Sequence, residues 1–131
     1  MYIPPGFNTV APYFFVHEAE EFVAFLVNGL GGTQTCRTMR PNGTVQNLQV
    51  KIGDSTLMVS ECTQQYPAMC SAFYLCVDNA VVAMVRAITH GASLEMAVAD
   101  MRYGDRQGAV RDRHENIWWT SQRIDEAPYT L

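Results

Sequence analysis

Hydrophobic positions along the chain change period in a fixed order, and that order occurs twice. Residues 9–16 are rich in aromatic and β-branched types and predict a strand. Ala19, Phe22, Val23 and Leu26 then fall at i, i+3, i+4 and i+7, one face of a helix whose first turn carries Glu18, Glu20 and Glu21. Gly29 or the Gly31-Gly32 pair stops it. Strands are predicted near 33–40, over 44–52 with Val45, Leu48, Val50 and Ile52, and over 56–60. Pro41-Asn42-Gly43 is a hairpin signal, and Gly53-Asp54 turns the chain again.

The second half repeats the sequence of periods. A strand over 71–77 leads to Asp78 as N-cap, then to a helix with Val81, Met84, Val85 and Ile88 on one face and Gly91 as C-cap. Strands over 92–97, 107–111 and 117–121 follow, with turns at Tyr103-Gly104-Asp105-Arg106 and His114-Glu115-Asn116. Residues 62–70 connect the halves, and 125–131 form a tail with no assigned role.

Identities reinforce the order of elements. Ala11/Ala72, Tyr13/Tyr74, Val16/Val77 and Ala19/Ala80 match at one offset of 61 residues, and Gly29/Gly91 at 62. Two copies are too few for a solenoid. They predict one supersecondary unit duplicated inside a single domain spanning 1–131, with modules at about 8–61 and 71–124. The expected fold class is α+β: two β-α-β-β-β modules forming a cupped mixed sheet, helices outside, with a concave ligand surface between the modules.

Composition narrows the function classes. At 131 residues, 48% hydrophobic and 17% charged, the chain suits one globular domain with its own core. A formal charge of −4 with nine Lys and Arg argues against a nucleic-acid partner, which needs a cationic stripe. Arg102, Arg106, Arg111 and Arg113, interspersed with Asp105 and Asp112, read as a mixed solvated surface, with an anion-reading role as the alternative. Cys36, Cys62, Cys70 and Cys76 form no Cys-x-x-Cys pair and no zinc spacing with histidine. They read as buried free thiols, with a Cys62–Cys70 bridge as the alternative. The first residues lack a secretory pattern, and no apolar run approaches the roughly 20 residues of a membrane span, so a cytoplasmic protein without a membrane partner is expected.

Ala11–Val16 with Ala19, Gly29-Leu30-Gly31-Gly32, and Ile52-Gly53-Asp54-Ser55 before Leu57-Met58-Val59 resemble the vicinal oxygen chelate superfamily, which contains glyoxalase I, extradiol dioxygenases and bleomycin-resistance proteins. The second half adds Tyr74–Asp78, Gly91-Ala92, Tyr103-Gly104-Asp105-Arg106, and Val110-Arg111-Asp112 through Ile117-Trp118-Trp119. Together, over about 8–124, they look most like its PhnB-like branch, often labelled glyoxalase/bleomycin resistance protein. The resemblance implies the paired β-α-β-β-β fold, a homodimer, and in most members a divalent metal held by His and Glu. Here the positions that carry those ligands fall at Ala11, Ala72, Trp119 and near Met58 or Val59, none of which offers a metal donor of that kind. The turn before the last strand also departs from the family's Asp-Pro-x-Gly, with Asn116 as the candidate for positive φ.

No nucleophile elbow, catalytic Cys–His pairing, phosphate loop or nucleotide fingerprint appears, and no catalytic residue is assigned. With aromatic side chains where metal ligands would stand, the expected function is a metal-free small-molecule binding protein without a cofactor, holding an apolar or aromatic ligand between the modules. The ligand-binding candidates are Ala11, Tyr13, Phe15, Met58, Ala72, Tyr74, Tyr103, Arg106 and Trp119; strand alternation lets only one of Trp118 and Trp119 face that way. The alternative is a metal-dependent lyase, isomerase or dioxygenase of the glyoxalase type, with a relocated metal held by Glu61 and a histidine. His17, His90 and His114 all fall at element ends, where surface or capping roles compete with that one.

Overall fold

A computed structural model describes residues 1–130. The elements are β1 (Tyr13–Val16), α1 (Ala19–Ala24) continued by a π-helical turn (Phe25–Gly29), β2 (Thr33–Met39), β3 (Val45–Ile52), β4 (Ser55–Glu61), β5 (Ala72–Cys76), α2 (Ala80–Thr89), β6 (Ser93–Asp100), β7 (Asp105–Arg111) and β8 (Ile117–Arg123). They make two compact units, Met1–Cys70 and the chain from Ser71 onward. One holds a sheet of order β1-β4-β3-β2, the other a sheet of order β5-β8-β7-β6. In each, the first and last strands pair in parallel and the remaining pairs are antiparallel. Tyr13 stands opposite Met58 and Tyr74 opposite Trp119, so the two parallel pairs share one register shifted by 61 residues. The α+β class and the duplicated β-α-β-β-β order are as the periodicity predicts.

In the first unit the core lies between the sheet and α1. Phe14 and Val16 alternate inward, and Phe14 meets the Phe22 ring at 4.9 Å between centroids. Phe22, Leu26, Leu48, Val50 and Val59 are fully buried with them. The strand is shorter than predicted because Pro12 has no N–H to give a ladder; its carbonyl still accepts from the Met58 amide at 3.0 Å. Ala11 therefore lies just outside β1. The helix has no cap of its own: Glu18 takes φ 54°, and the Glu61 carboxylate, arriving from β4, accepts the Glu18 and Ala19 amides at 3.0 and 2.9 Å.

In the second unit two expectations are corrected. The N-cap is Asn79, not Asp78: its side chain accepts from the Val82 amide, the geometry a residue directly before the helix can reach. The buried face is Ala80, Met84 and Ala87, whereas Val81, Val85 and Ile88, with Val82, are exposed. Close packing explains the choice. A Cβ built on Gly108 of β7 would lie 2.9 Å from the Met84 sulfur, so the helix sits too near the sheet for branched side chains. The C-cap is likewise shifted by one residue: it is His90, and Gly91, at φ 110°, is the residue after it.

Asp105 and Asp112 are not solvated; they are 1% and 4% exposed. Asp112 organises the last turn. One carboxylate oxygen accepts the His114 and Asn116 amides at 2.8 and 3.0 Å; the other accepts Asn116 Nδ2 at 3.0 Å and Trp118 Nε1 at 2.8 Å. Asn116, fully buried, accepts the Ser71 amide in turn, tying the turn to β5. That network replaces the missing proline and glycine, and the positive φ falls at Glu115 (70°) rather than Asn116. The four cysteines are free, but they are not buried: Cys36, Cys70 and Cys76 are exposed and Cys62 half-buried.

Candidate functional site

Strand alternation gives each sheet a face turned away from its helix, and the aromatic candidates lie there. In the first unit Tyr13 and Phe15 stack at 4.8 Å with planes 14° apart, and Tyr66 continues the stack against Phe15 at 5.6 Å and 18°. Tyr66 comes from the connector after β4, where its amide donates to Thr63 Oγ1 and its carbonyl accepts the Thr63 amide. The three rings form a shelf beside an open pocket of about 680 Å³, completed by Arg40, Gln46, Ser60, Glu61 and Thr63. Arg40 is held at one end by hydrogen bonds to the Glu61 carbonyl at 3.0 Å and to Thr44 Oγ1 at 3.1 Å. The floor is thus aromatic, with one cation and several hydroxyls around it. Met58 stands opposite Tyr13 on the same face, half-buried.

In the second unit Tyr74 and Trp119 are cross-strand neighbours on the corresponding face, with Ala72 two residues before Tyr74. Trp118 points the other way, buried and stacked on Phe73 at 4.7 Å, so only one of the tryptophans faces away from α2. Beneath Tyr74 lies Asp105. One oxygen accepts hydrogen bonds from the Tyr74 hydroxyl, from Ser121 Oγ at 2.8 Å and from the Tyr129 hydroxyl at 2.7 Å; the other accepts from Arg123 at 3.0 Å. Burial alone would raise the Asp105 carboxyl, but the bonds from Tyr129, Tyr74, Arg123 and Ser121 outweigh it and hold it well below the usual carboxylate range. Burial of the hydroxyl end, then the bond to Asp105, pushes Tyr74 up to about 12, even though half of that residue's surface is exposed.

The tail has a role that sequence periodicity did not assign. Arg123 lies over the Tyr129 ring at 4.4 Å and donates to the Ala127 carbonyl, which brings the Tyr129 phenol onto Asp105. Of the remaining candidates, Tyr103 donates its hydroxyl to Gln107 and Arg106 pairs with Asp100 on the surface. Gln107 is 2% exposed and its Nε2 has no hydrogen-bond partner among the described residues.

The two faces share a motif. Tyr13 pairs with Ser60 through their hydroxyls at 2.8 Å, and Tyr74 with Ser121 at 2.9 Å, both residues shifted by 61. In the first unit this pair borders the open pocket; in the second it is joined to a buried carboxylate and capped by Tyr129.

The family's metal positions do not fit a metal here, because Ala11, Ala72, Met58 and Trp119 present two methyls, a thioether and an indole. Elsewhere His17, Glu61 and Cys62 gather donor atoms within 4.8 Å of one another. Glu61 and one histidine thus meet as the metal alternative requires, joined by a cysteine that spacing did not reveal. His90 is the C-cap of α2, and His114 lies in the Asp112 turn.

No protein-family model matches the chain. An uncharacterised protein of Mycobacterium bovis is 24% identical over 131 residues, covering 89% of this chain and 84% of the relative. Among solved structures, TnmS3, an antibiotic binding protein from Streptomyces sp. CB03234, superposes with a TM-score of 0.71 at 20% identity, over 94% of this chain and 98% of that one. A glyoxalase/bleomycin resistance protein/dioxygenase family enzyme from Burkholderia phytofirmans PsJN gives 0.70 at 16% identity, over 86% and 95%. The chain has the glyoxalase/bleomycin resistance/dioxygenase fold, the fold implied by its resemblance to the vicinal oxygen chelate superfamily. None of its described helices is long and apolar enough to cross a membrane.

Proposed function

We propose that this protein binds a planar, aromatic or apolar small molecule, using no metal at the family's ligand positions. One observation carries the reading: the Tyr13–Phe15–Tyr66 stack lines an open pocket of about 680 Å³, within the size range of ligand sites. A flat guest extends the stack, while Arg40, Ser60 and the Tyr13 hydroxyl supply orientation at its edge. The shared fold with an antibiotic binding protein supports the same class of activity. Ala72, Tyr74 and Trp119 share one face of the second unit's sheet, while Tyr103 and Arg106 spend their polar groups on Gln107 and Asp100.

Calorimetric titration with a panel of planar antibiotics and aromatic metabolites tests this. Phe15→Ala removes the middle ring and is expected to weaken binding by about 1 kcal/mol or more, the scale of a lost stacking partner. If no compound binds, or if Phe15→Ala and Tyr66→Ala leave affinity unchanged, the pocket is not the site.

The homodimer implied by the resemblance is part of the proposal. Val81, Val82, Val85 and Ile88 expose an apolar helix face in the single chain, the kind of surface a two-fold contact covers. Light scattering is expected to give two chains' mass, and one chain's mass at micromolar concentration would reject it.

A further inference from the structure

We propose a zinc site formed by His17, Glu61 and Cys62, at the end of the parallel β1–β4 pair and apart from the positions the family uses. The sheet itself brings the donors together. Val16 stands opposite Glu61, and the Cys62 amide donates to the Val16 carbonyl at 2.8 Å, so the next pair in register is His17 and Cys62, 45 residues apart in sequence. His17 Nδ1 lies 3.2 Å from Cys62 Sγ. A tetrahedral zinc with bonds of about 2.0 and 2.3 Å to nitrogen and sulfur holds those atoms about 3.5 Å apart. The nitrogen and sulfur thus already span a zinc ion. All the donor atoms lie within 4.8 Å of one another, so about an ångström of side-chain movement brings them onto one ion.

The donors select the metal. A thiolate with an imidazole and a carboxylate suits zinc; one histidine instead of two excludes the facial triad of iron(II) oxygenases, and three hard oxygens for magnesium or calcium are absent from the cluster. Glu61 accepts one backbone amide on each oxygen, which orients the carboxylate and leaves each oxygen a further lone pair. His17 is exposed and the other two half-buried, so the metal enters from solvent without opening the core, and three protein ligands leave a fourth position for water or a ligand oxygen. Glu61 also lines the pocket, which puts the ion at its rim. Binding replaces the Cys62 thiol proton, released to solvent, with a zinc–sulfur bond, and needs no redox partner.

Cobalt(II) titration of the untagged, reduced full chain provides the test. One equivalent of cobalt is expected to bind with a sulfur-to-cobalt charge-transfer band and tetrahedral d–d absorption, both displaced by zinc. Cys62→Ser is expected to lose the charge-transfer band, and His17→Gln to weaken cobalt binding at least tenfold. In parallel, zinc should protect Cys62 from alkylation, read by peptide mass spectrometry, while Cys36, Cys70 and Cys76 stay reactive. No stoichiometric cobalt binding, a charge-transfer band that survives Cys62→Ser, or equal alkylation of all four thiols with and without zinc overturns the assignment.

Discussion

Replacing Asp105 with Asn separates the charge of this carboxylate from its shape. Asp105 accepts four hydrogen bonds, from Tyr74, Ser121, Tyr129 and Arg123, while 1% exposed. A bond to a charged acceptor is worth about 1.5–3 kcal/mol against about 0.5–1.5 for a neutral one. The amide oxygen can keep the three hydroxyl donors, but its NH2 then faces the Arg123 guanidinium. Four contacts weakened by about 1 kcal/mol each come to about 4 kcal/mol. Because Tyr74 and Tyr129 are half exposed and water replaces part of each bond, about 2–4 kcal/mol is the expected loss. Urea denaturation at pH 7 measures it.

The pH dependence gives the sharper check on Asp105. Its folded-state carboxyl is held below the unfolded value of about 3.9, so its contribution is complete above that value and disappears as pH falls through the folded one. The gap between wild type and Asp105→Asn should therefore be constant from pH 7 to 5 and shrink below about pH 4. A loss under 1 kcal/mol at pH 7, or a gap that stays constant down to pH 2, would mean that the Asp105 charge does not stabilise the fold.

Truncating the chain before Tyr129 removes the Tyr129 hydroxyl beside Tyr74, one of the contacts that raise it, and tyrosine titration should then show Tyr74 ionising at a pH closer to its ordinary value than about 12. Asn79→Ala deletes the α2 cap and should cost about 1 kcal/mol in thermal or urea melts, while Asp78→Ala should cost much less. Asp112→Ala strands Trp118 Nε1 and the Asn116 amide in the core; about 3 kcal/mol or more of stability should be lost, with Trp118 emission shifted. Val85→Lys is expected to leave the melting curve of the monomer intact while converting a dimer to one chain's mass in light scattering.

Element order was readable in the sequence because the apolar period switches between 2 and 3.6 at turn residues, and the switch happens twice in the same order. What escaped depends on partners far along the chain or on a turn already formed. Asp105 and Asp112 sit among arginines and look solvated; Asp105 is buried by Tyr74, Ser121 and Tyr129, 31, 16 and 24 residues away, and Asp112 by Asn116 and Trp118, near in sequence but aimed at it only once the turn has formed. The α2 face was misplaced because two overlapping sets share the helical period, and alanines 80 and 87 win only through the close approach of Gly108 and Met84. Of the pocket, Tyr13 and Phe15 were readable from strand alternation. Tyr66 was not, since it lies in an aperiodic connector and is set by one Thr63 turn. His17 and Cys62 meet only once a parallel register is known.

The Tyr–Ser pair carried by both halves has a consequence for how this chain can change. A duplicated motif permits its copies to specialise under separate selection. The Tyr74–Ser121 copy is tied to Asp105 and the tail, so a substitution there is felt as folding stability. In the Tyr13–Ser60 copy, Ser60 is buried and donates to the Gln46 carbonyl, but Tyr13 is 44% exposed and borders the open pocket, so a substitution at Tyr13 reshapes that pocket. A directed-evolution library confined to the exposed pocket positions Tyr13 and Tyr66 should therefore be rich in folded variants, and is the place to look for changes in what the proposed pocket holds.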